Sequence, residues 1–402
     1  MKILLVNKFL MPRGGCETYV FNIGKMLTEH EHEVQYFGME HPDNIVGNRV
    51  GVYAPRINLQ GSVIENLSAP FHIINSKAAG KKIREVLDDF QPDVVHFNNI
   101  EFYLTPSVIM ATYRYCRETG RTVRLVMTAH DYQMVCPSHG LFDSEVRICE
   151  KCLGGHYWNC LRTKCLKHSY AKSALGVLDA YYWKARSVYQ YLNTIICPSH
   201  FLKKKLDTDP ILRTKTTALL NFSDPQTIRY QSEGYVLEFG KLVRDKGTLV
   251  ALEAARKMPE VKFKFAGYGP AESAIRSVKN AEFLGFLTGE KLNEAIQKAA
   301  VSICPSECYE NCPLSVIESE MNGTPVVGSR RGGIPELIDE GKTGELFEAG
   351  NADDLVRALN RILETEDSLK RYSQYCKSKE YMTPERYYQS LIRIYGASDE
   401  GI

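Results

Sequence analysis

The sequence predicts an α/β protein built on two doubly wound parallel sheets. Two series of short apolar runs, each alternating with helix-patterned stretches, carry that reading. Length sets the number of sheets: 402 residues suffice for two full cores, and one sheet holding every run would be unusually large.

In the first series the strand runs are "KILLVN" (2–7), "EVQYFG" (33–38), "DVVHFNN" (93–99), "RLVMTAH" (124–130) and "TIICPS" (194–199). Helical periodicity falls between them at 15–29, 76–90, 105–118 and 170–192. The second series runs "YVLEFG" (235–240), "VKFKFAG" (261–267), "AEFLGF" (281–286), "VSICPS" (301–306) and "TPVVGS" (324–329). The polar, turn-rich "NFSDPQTIRYQSEG" (221–234) separates the two, which places domains at 1–222 and 223–382. The amphipathic "PERYYQSLIRIYG" (384–396) lies in a last helix, about 383–402, expected to pack back on the first domain.

Composition narrows the function. The chain is 44% hydrophobic and 24% charged, and it has no apolar run of membrane-spanning length. The start "MKILLVNKFLMPRGG" reads as a buried strand rather than a signal peptide, so a cytoplasmic protein is expected. A net charge of +2 argues against nucleic acid as partner. Residues 1–222 nevertheless hold 27 Lys+Arg against 20 Asp+Glu, while the remainder hold 23 against 28. The densest basic patch includes Lys203, Lys204 and Lys205, which suit either a solvated helix face or peripheral contact with an anionic membrane. Most of the twelve cysteines are expected as free thiols, with Cys116, Cys197 and Cys304 in core settings.

Several motifs carry chemistry. Gly14–Gly15 and Gly332–Gly333 each follow a strand and open a helix, where backbone N–H groups can approach a phosphate. Neither fits G-x-G-x-x-G, which weighs against a nicotinamide enzyme. In "FGKLVRDKG" (239–247), Lys241, Arg244 and Lys246 gather at a strand's carboxyl end, a place suited to a diphosphate. In "ECYENCPLSVIESEMNG" (307–323), Glu310 sits in a strand-end loop and Glu318 lies within the helix that Pro313 opens. A carboxylate bordering apolar residues calls for donors such as vicinal hydroxyls, and the first N–H groups, at Leu314 and Ser315, suit an anion. Hydroxyls at two places with an anion between them describe a nucleotide-diphosphate sugar.

On these residues the chain resembles retaining glycosyltransferase family 4, the GT-B fold. "RGGCETYV", "TAHDY", "ICPSHFLKKKL", "FGKLVRDKG", "FAGYGP", "FLGFL", "ENCPLSVIE", "GTPVVGSRRGGIPELI" and "GKTGELFE" occur in that family's order. The resemblance implies two Rossmann-like domains facing each other across a cleft. It implies that Lys241, Lys246, Gly15 and Leu314 hold the donor diphosphate, with Lys241 standing where the family commonly has Arg. It assigns Glu318 to the ribose hydroxyls, Phe286 and Leu287 to the base, and Glu310 and His130 to the donor sugar. It further implies a UDP- or GDP-sugar as co-substrate, a glycan or lipid-linked glycan as acceptor, and no metal or cofactor essential to catalysis. A catalytically silent sugar-nucleotide or polysaccharide-binding subunit of an export complex is the alternative. His96 is open between a structural and a functional role. The segment holding Cys149, Cys152, Cys160 and Cys165 reads either as a structural zinc site or as reduced thiols in a loop.

Overall fold

The computed structural model describes residues 1–56, 74–145, 147–224 and 231–396. The chain forms two compact units: Met1–Leu219 together with Glu385–Ile402, and Leu220–Pro384. Part of the connecting segment, 225–230, and the terminal 397–402 lie outside the described residues.

Unit 1 is a six-stranded parallel sheet: β1 (Lys2–Val6), β2 (Glu33–Phe37), β3 (Val94–Phe97), β4 (Arg124–Thr128), β5 (Thr194–Cys197) and β6 (Thr216–Ala218). Their spatial order is β2-β1-β3-β4-β5-β6. Unit 2 holds β7 (Tyr235–Lys241), β8 (Lys262–Tyr268), β9 (Ala281–Gly285), β10 (Ala299–Cys304), β11 (Val326–Ser329) and β12 (Gly344–Phe347), ordered β12-β11-β10-β7-β8-β9. Helices cover both faces of a parallel sheet, so its strands read as nearly continuous apolar runs. All residues of β3, β5 and β10 are buried accordingly. In each order the chain reverses direction once, between β1 and β3 in unit 1 and between β7 and β10 in unit 2. At such a reversal the loops leaving the carboxyl ends diverge and open a crevice.

The fold has the expected class, with two GT-B-like sheets, and the differences are local. The short strands β6 and β12 escaped the sequence pattern. The helix expected over 170–192 ends at Ala185, because Ser187 turns into the left-handed region at φ +46° before a short 3-10 turn over Val188–Tyr191. Lys203 pairs with Asp207 at 2.6 Å and Lys205 with Glu150 at 2.5 Å, so two of the three lysines in the basic patch are engaged inside the chain. No helix among the described residues is long and apolar enough to cross a membrane.

His96 interrupts an otherwise apolar β3 and is fully buried. Its Nδ1 meets the Tyr395 hydroxyl at 2.6 Å and its Nε2 meets Thr128 Oγ1 at 2.8 Å. Thr128 Oγ1 also contacts Tyr19 Oη at 2.9 Å, which contacts Tyr387 Oη at 2.6 Å. Burial pulls the imidazole down to about 3, so it is neutral and serves as a two-sided hydrogen-bonding node. The role of His96 is therefore structural. Tyr387 and Tyr395 belong to the helix Pro384–Gly396, which this network joins to unit 1.

Replacing Tyr395→Phe keeps the ring and leaves the His96 nitrogen without its partner. The expected cost is about 1–3 kcal/mol. Urea unfolding followed by circular dichroism checks it, and an unchanged midpoint would remove the network's structural importance.

Candidate functional site

In unit 2 the loops after β7, β10 and β11 meet beside the reversal point. Lys246 comes from a short 3-10 turn, Arg244–Lys246, after β7. Its Nζ donates to Glu310 Oε1 at 2.5 Å, and Ser306 Oγ donates to the same oxygen at 2.6 Å. Ser329 Oγ, at the end of β11, donates to Ser306 O at 2.6 Å. Burial alone would raise the Glu310 carboxyl, but Lys246 outweighs it and holds the acid below its usual range. Burial likewise works against the Lys246 ammonium, and Glu310 outweighs it to leave the lysine firmly protonated. Lys241 is exposed at the end of β7, and its charge adds to the field that keeps Glu310 ionised. The expected cation cluster is thus divided: Lys246 is ion-paired within the fold, while Lys241 and Arg244 face solvent.

The two glycine pairs behave differently. Gly332 has φ +58°, and a Cβ there would sit 2.0 Å from Glu310 O. Gly333 N–H donates to Glu310 O at 2.7 Å. This loop is therefore a structural clamp on Glu310, and the Gly333 N–H is engaged by that carbonyl rather than by a phosphate. Gly15, the first residue of the helix Gly15–Glu29, has an ordinary φ and nothing within 4 Å of an added Cβ. Neither backbone conformation nor the surrounding protein demands glycine there.

The helix Leu314–Met321 starts after Pro313 with no side-chain cap, so the N–H groups of Leu314 and Ser315 are left uncapped. Glu318, just over one turn in, is half-buried. It makes no side-chain hydrogen bond or ion pair among the described residues. Burial pushes its carboxyl up to about 7. At the ends of β8 and β9, Tyr268 and Phe286 are 44% and 67% exposed, with ring centroids 5.6 Å apart. Leu287 is half-buried against the apolar cluster around Tyr235 and Leu237. The sequence reading missed Tyr268, Ser306 and Ser329. An aromatic at a strand's carboxyl end was the available signal for Tyr268, whereas the two serines had none.

In unit 1, His130 follows β4, its Nε2 donating to Asn98 Oδ1 at 2.9 Å and its ring edge-on to Tyr19 at 4.9 Å. Burial, reinforced by the charge of Lys8, pulls this imidazole down to about 3, so it is neutral. Cys152 and Cys160 are buried, Cys149 and Cys165 half-buried, and all four are free thiols. Cys160 donates to the Cys165 sulfur, which lowers the Cys165 thiol and raises Cys160. Among the described residues no three of these sulfurs lie within 4.8 Å of one another.

Comparison with known proteins places this architecture. Residues 13–227 match the family model described as Glycosyltransferase Family 4, and residues 222–379 match Glycosyl transferases group 1. A stretch of 139 residues is 34% identical to sulfoquinovosyl transferase SQD2 of Arabidopsis thaliana, covering 33% of this chain and 27% of that protein. Amylovoran biosynthesis glycosyltransferase AmsK of Erwinia amylovora is 28% identical over 33% of this chain and 36% of its own length. These matches thus span about a third or less of this chain and of such relatives. In fold, the chain is similar to Alr3699/HepE of Anabaena, solved in complex with UDP and glucose. The TM-score is 0.65 with 14% identity, over 98% of both chains.

Lys246→Ala would leave Glu310 charged in a largely desolvated loop. The expected destabilisation is about 1–3 kcal/mol, less than for a fully buried pair because Lys246 keeps a third of its side chain exposed. Lys246→Met combined with Glu310→Gln should recover part of that loss in a thermal-unfolding double-mutant cycle. Strict additivity of the two changes would show that the pair is not coupled.

Proposed function

Because the chain belongs to glycosyltransferase family 4, we propose that it is a retaining glycosyltransferase acting in surface polysaccharide biosynthesis. It moves a hexose-type sugar from a UDP-sugar, or less favourably a GDP-sugar, to a glycan or lipid-linked glycan. The observation that carries the donor assignment is Glu318, an isolated carboxyl without a counter-charge beside an uncapped helix start. A ribose diol would supply the donors this acid lacks, and the diphosphate would meet the N–H groups of Leu314 and Ser315 and the charge of Lys241 and Lys246. The exposed rings of Tyr268 and Phe286 offer a flat apolar surface for the base. Glu310, held ionised, takes the donor-sugar hydroxyls, and neutral His130 and Gly15 keep the roles the family assigns them. The amylovoran relative and the UDP complex of HepE support the polysaccharide setting and the UDP preference.

The acceptor side has its own support. A groove of about 480 Å³ in unit 1 is lined by Lys77, Lys81, Arg84, Arg114 and Arg186, with Glu118 its only acid among the described residues. Arg84 pairs with Asp88 and Glu118. Lys77, Lys81, Arg114 and Arg186 form no ion pair among the described residues. Each basic residue held at an anionic bilayer contributes roughly 1 kcal/mol, and salt screens that attraction. The peripheral-membrane reading therefore moves from Lys203–Lys205 to this groove.

Titration calorimetry with UDP-glucose tests the donor assignment. The ribose takes the ionised form of Glu318, whose pKa stands near 7 in the free protein. Affinity should therefore be full above that pH and fall about tenfold per unit below it, since the glucosyl diphosphate does not titrate there. Glu318→Gln should weaken binding by about 1.5–3 kcal/mol and flatten the profile. A flat wild-type profile would sink the ribose role. Substituting Lys77, Lys81 and Arg114 with Gln should reduce flotation with anionic vesicles at low salt while leaving UDP-glucose hydrolysis intact. Equal flotation with neutral vesicles would return the groove to ordinary solvated surface.

A further inference from the structure

Unit 1 carries a second polar cluster, outside the residues assigned to the donor. Lys8 follows β1, Glu101 follows β3, Asp131 follows β4, and His139 returns from the turn that starts at Cys136. The ligand atoms of Glu101, Asp131 and His139 all lie within 4.8 Å of one another. Asp131 Oδ2 is 3.8 Å from His139 Nδ1, while its Oδ1 accepts the Gln133 N–H at 2.8 Å. Glu101 is only 7% exposed. Its Oε1 is paired with Lys8 Nζ, but its Oε2 is buried without a hydrogen-bond partner.

That oxygen carries the argument. A buried carboxylate oxygen without a donor is unfavourable unless a ligand supplies positive charge or a proton. The cluster sets two carboxyl groups and an imidazole against a single ammonium. Lys8 satisfies one side of Glu101, and the unpartnered Oε2 remains in a cluster where Glu101, Asp131 and His139 each bring a ligand atom within 4.8 Å of the other two. The His139 ring is held in place by stacking on Phe102, with centroids 4.7 Å apart and planes 10° apart.

We propose that Glu101, Asp131 and His139 bind one divalent cation of the Mn²⁺–Zn²⁺ class. Two carboxylate oxygens and one imidazole nitrogen suit these ions. The ion would tie the loops after β3 and β4 together and fix the backbone beside His130, without taking part in transfer. The proposal does not depend on the donor assignment.

The test is titration of Mn²⁺ alone into the full chain near neutral pH, without nucleotide, following the free-ion electron paramagnetic resonance signal. Mn²⁺ is chosen because thiolates compete poorly for it, so the cysteine segment does not interfere. The expected result is one ion per chain, displaced by Zn²⁺, with nitrogen coupling from one imidazole in the wild-type echo-modulation spectrum. Asp131→Asn and His139→Asn should each weaken binding by at least about tenfold, since even outer-shell changes have that effect. Asn tolerates the left-handed backbone of His139, φ +66°. No Mn²⁺ bound at millimolar concentration, or no imidazole coupling in the wild type, would overturn the proposal and leave Glu101 Oε2 to a water. Unchanged affinity in both folded variants would overturn it equally by placing the ion elsewhere.

Discussion

The Lys246–Glu310 ion pair is the interaction on which the carboxyl edge of unit 2 depends. The two residues lie far apart in sequence but on the loops of β7 and β10, which are neighbours in the sheet. Main-chain bonds reinforce the link. The N–H groups of Glu307 and Cys308 both donate to Asp245 O, and Gly333 N–H donates to Glu310 O. The backbones approach so closely that Gly247, at φ +82°, would place a Cβ 1.9 Å from Pro305 O. Three loops are thereby fixed against one another around a charge pair whose members are both held ionised. A desolvated ion pair adds little net stability, but losing one member leaves the other charge uncompensated, so the pair specifies the loop arrangement more than it stabilises it.

Unit 1 solves the equivalent problem without charge. Its buried polar chain, Tyr387–Tyr19–Thr128–His96–Tyr395, is neutral and hydrogen-bonded from one end to the other. Two of its five members come from the last helix, and that helix also offers Glu385 to His30 at 3.0 Å. The chain leaves unit 1 at Leu219 and returns at Glu385, so unit 1 is incomplete without its final helix. The Tyr395–His96 and Tyr387–Tyr19 contacts, about two turns apart on that helix, fix where it docks, because only one register makes both.

The parts of this arrangement legible in the sequence were those with local signatures. Buried parallel strands read as apolar runs, and the helices 15–29, 77–90 and 384–396 read from their periodicity. Three-residue β6 and four-residue β12 are too short to show a pattern, and the stop at Ser187 depends on a backbone angle that composition does not reveal. Spacing placed Glu310 in a loop and Glu318 on a helix. It did not show that Lys246, read as a phosphate-directed cation, already has Glu310 as its partner. Nor did it show that Lys205 pairs with Glu150, 55 residues away, although the Lys203–Asp207 pair, four residues apart, had a local signature. Pairings across a fold carry no local signal, so charge clusters in a sequence overstate the charge available at the surface.

The same reasoning separates the acids of one short segment. Glu310, Glu318 and Glu320 lie within eleven residues of each other, and all lose solvation. Glu310 ends below its usual range because Lys246 is beside it. Glu320 is pushed up by burial to about 7 even with Lys379 at 2.9 Å, and at 1% exposure it can meet no ligand. Glu318 is pushed up to about 7 as well, yet it is only half-buried and pairs with no cation among the described residues. Burial with a partner marks Glu320 as part of the core. Burial without a partner, at the open end of a helix, is unfavourable for the free protein and is relieved only by something that brings donors. Of the three acids, Glu318 is therefore the one whose environment makes physical sense chiefly in the presence of a ligand.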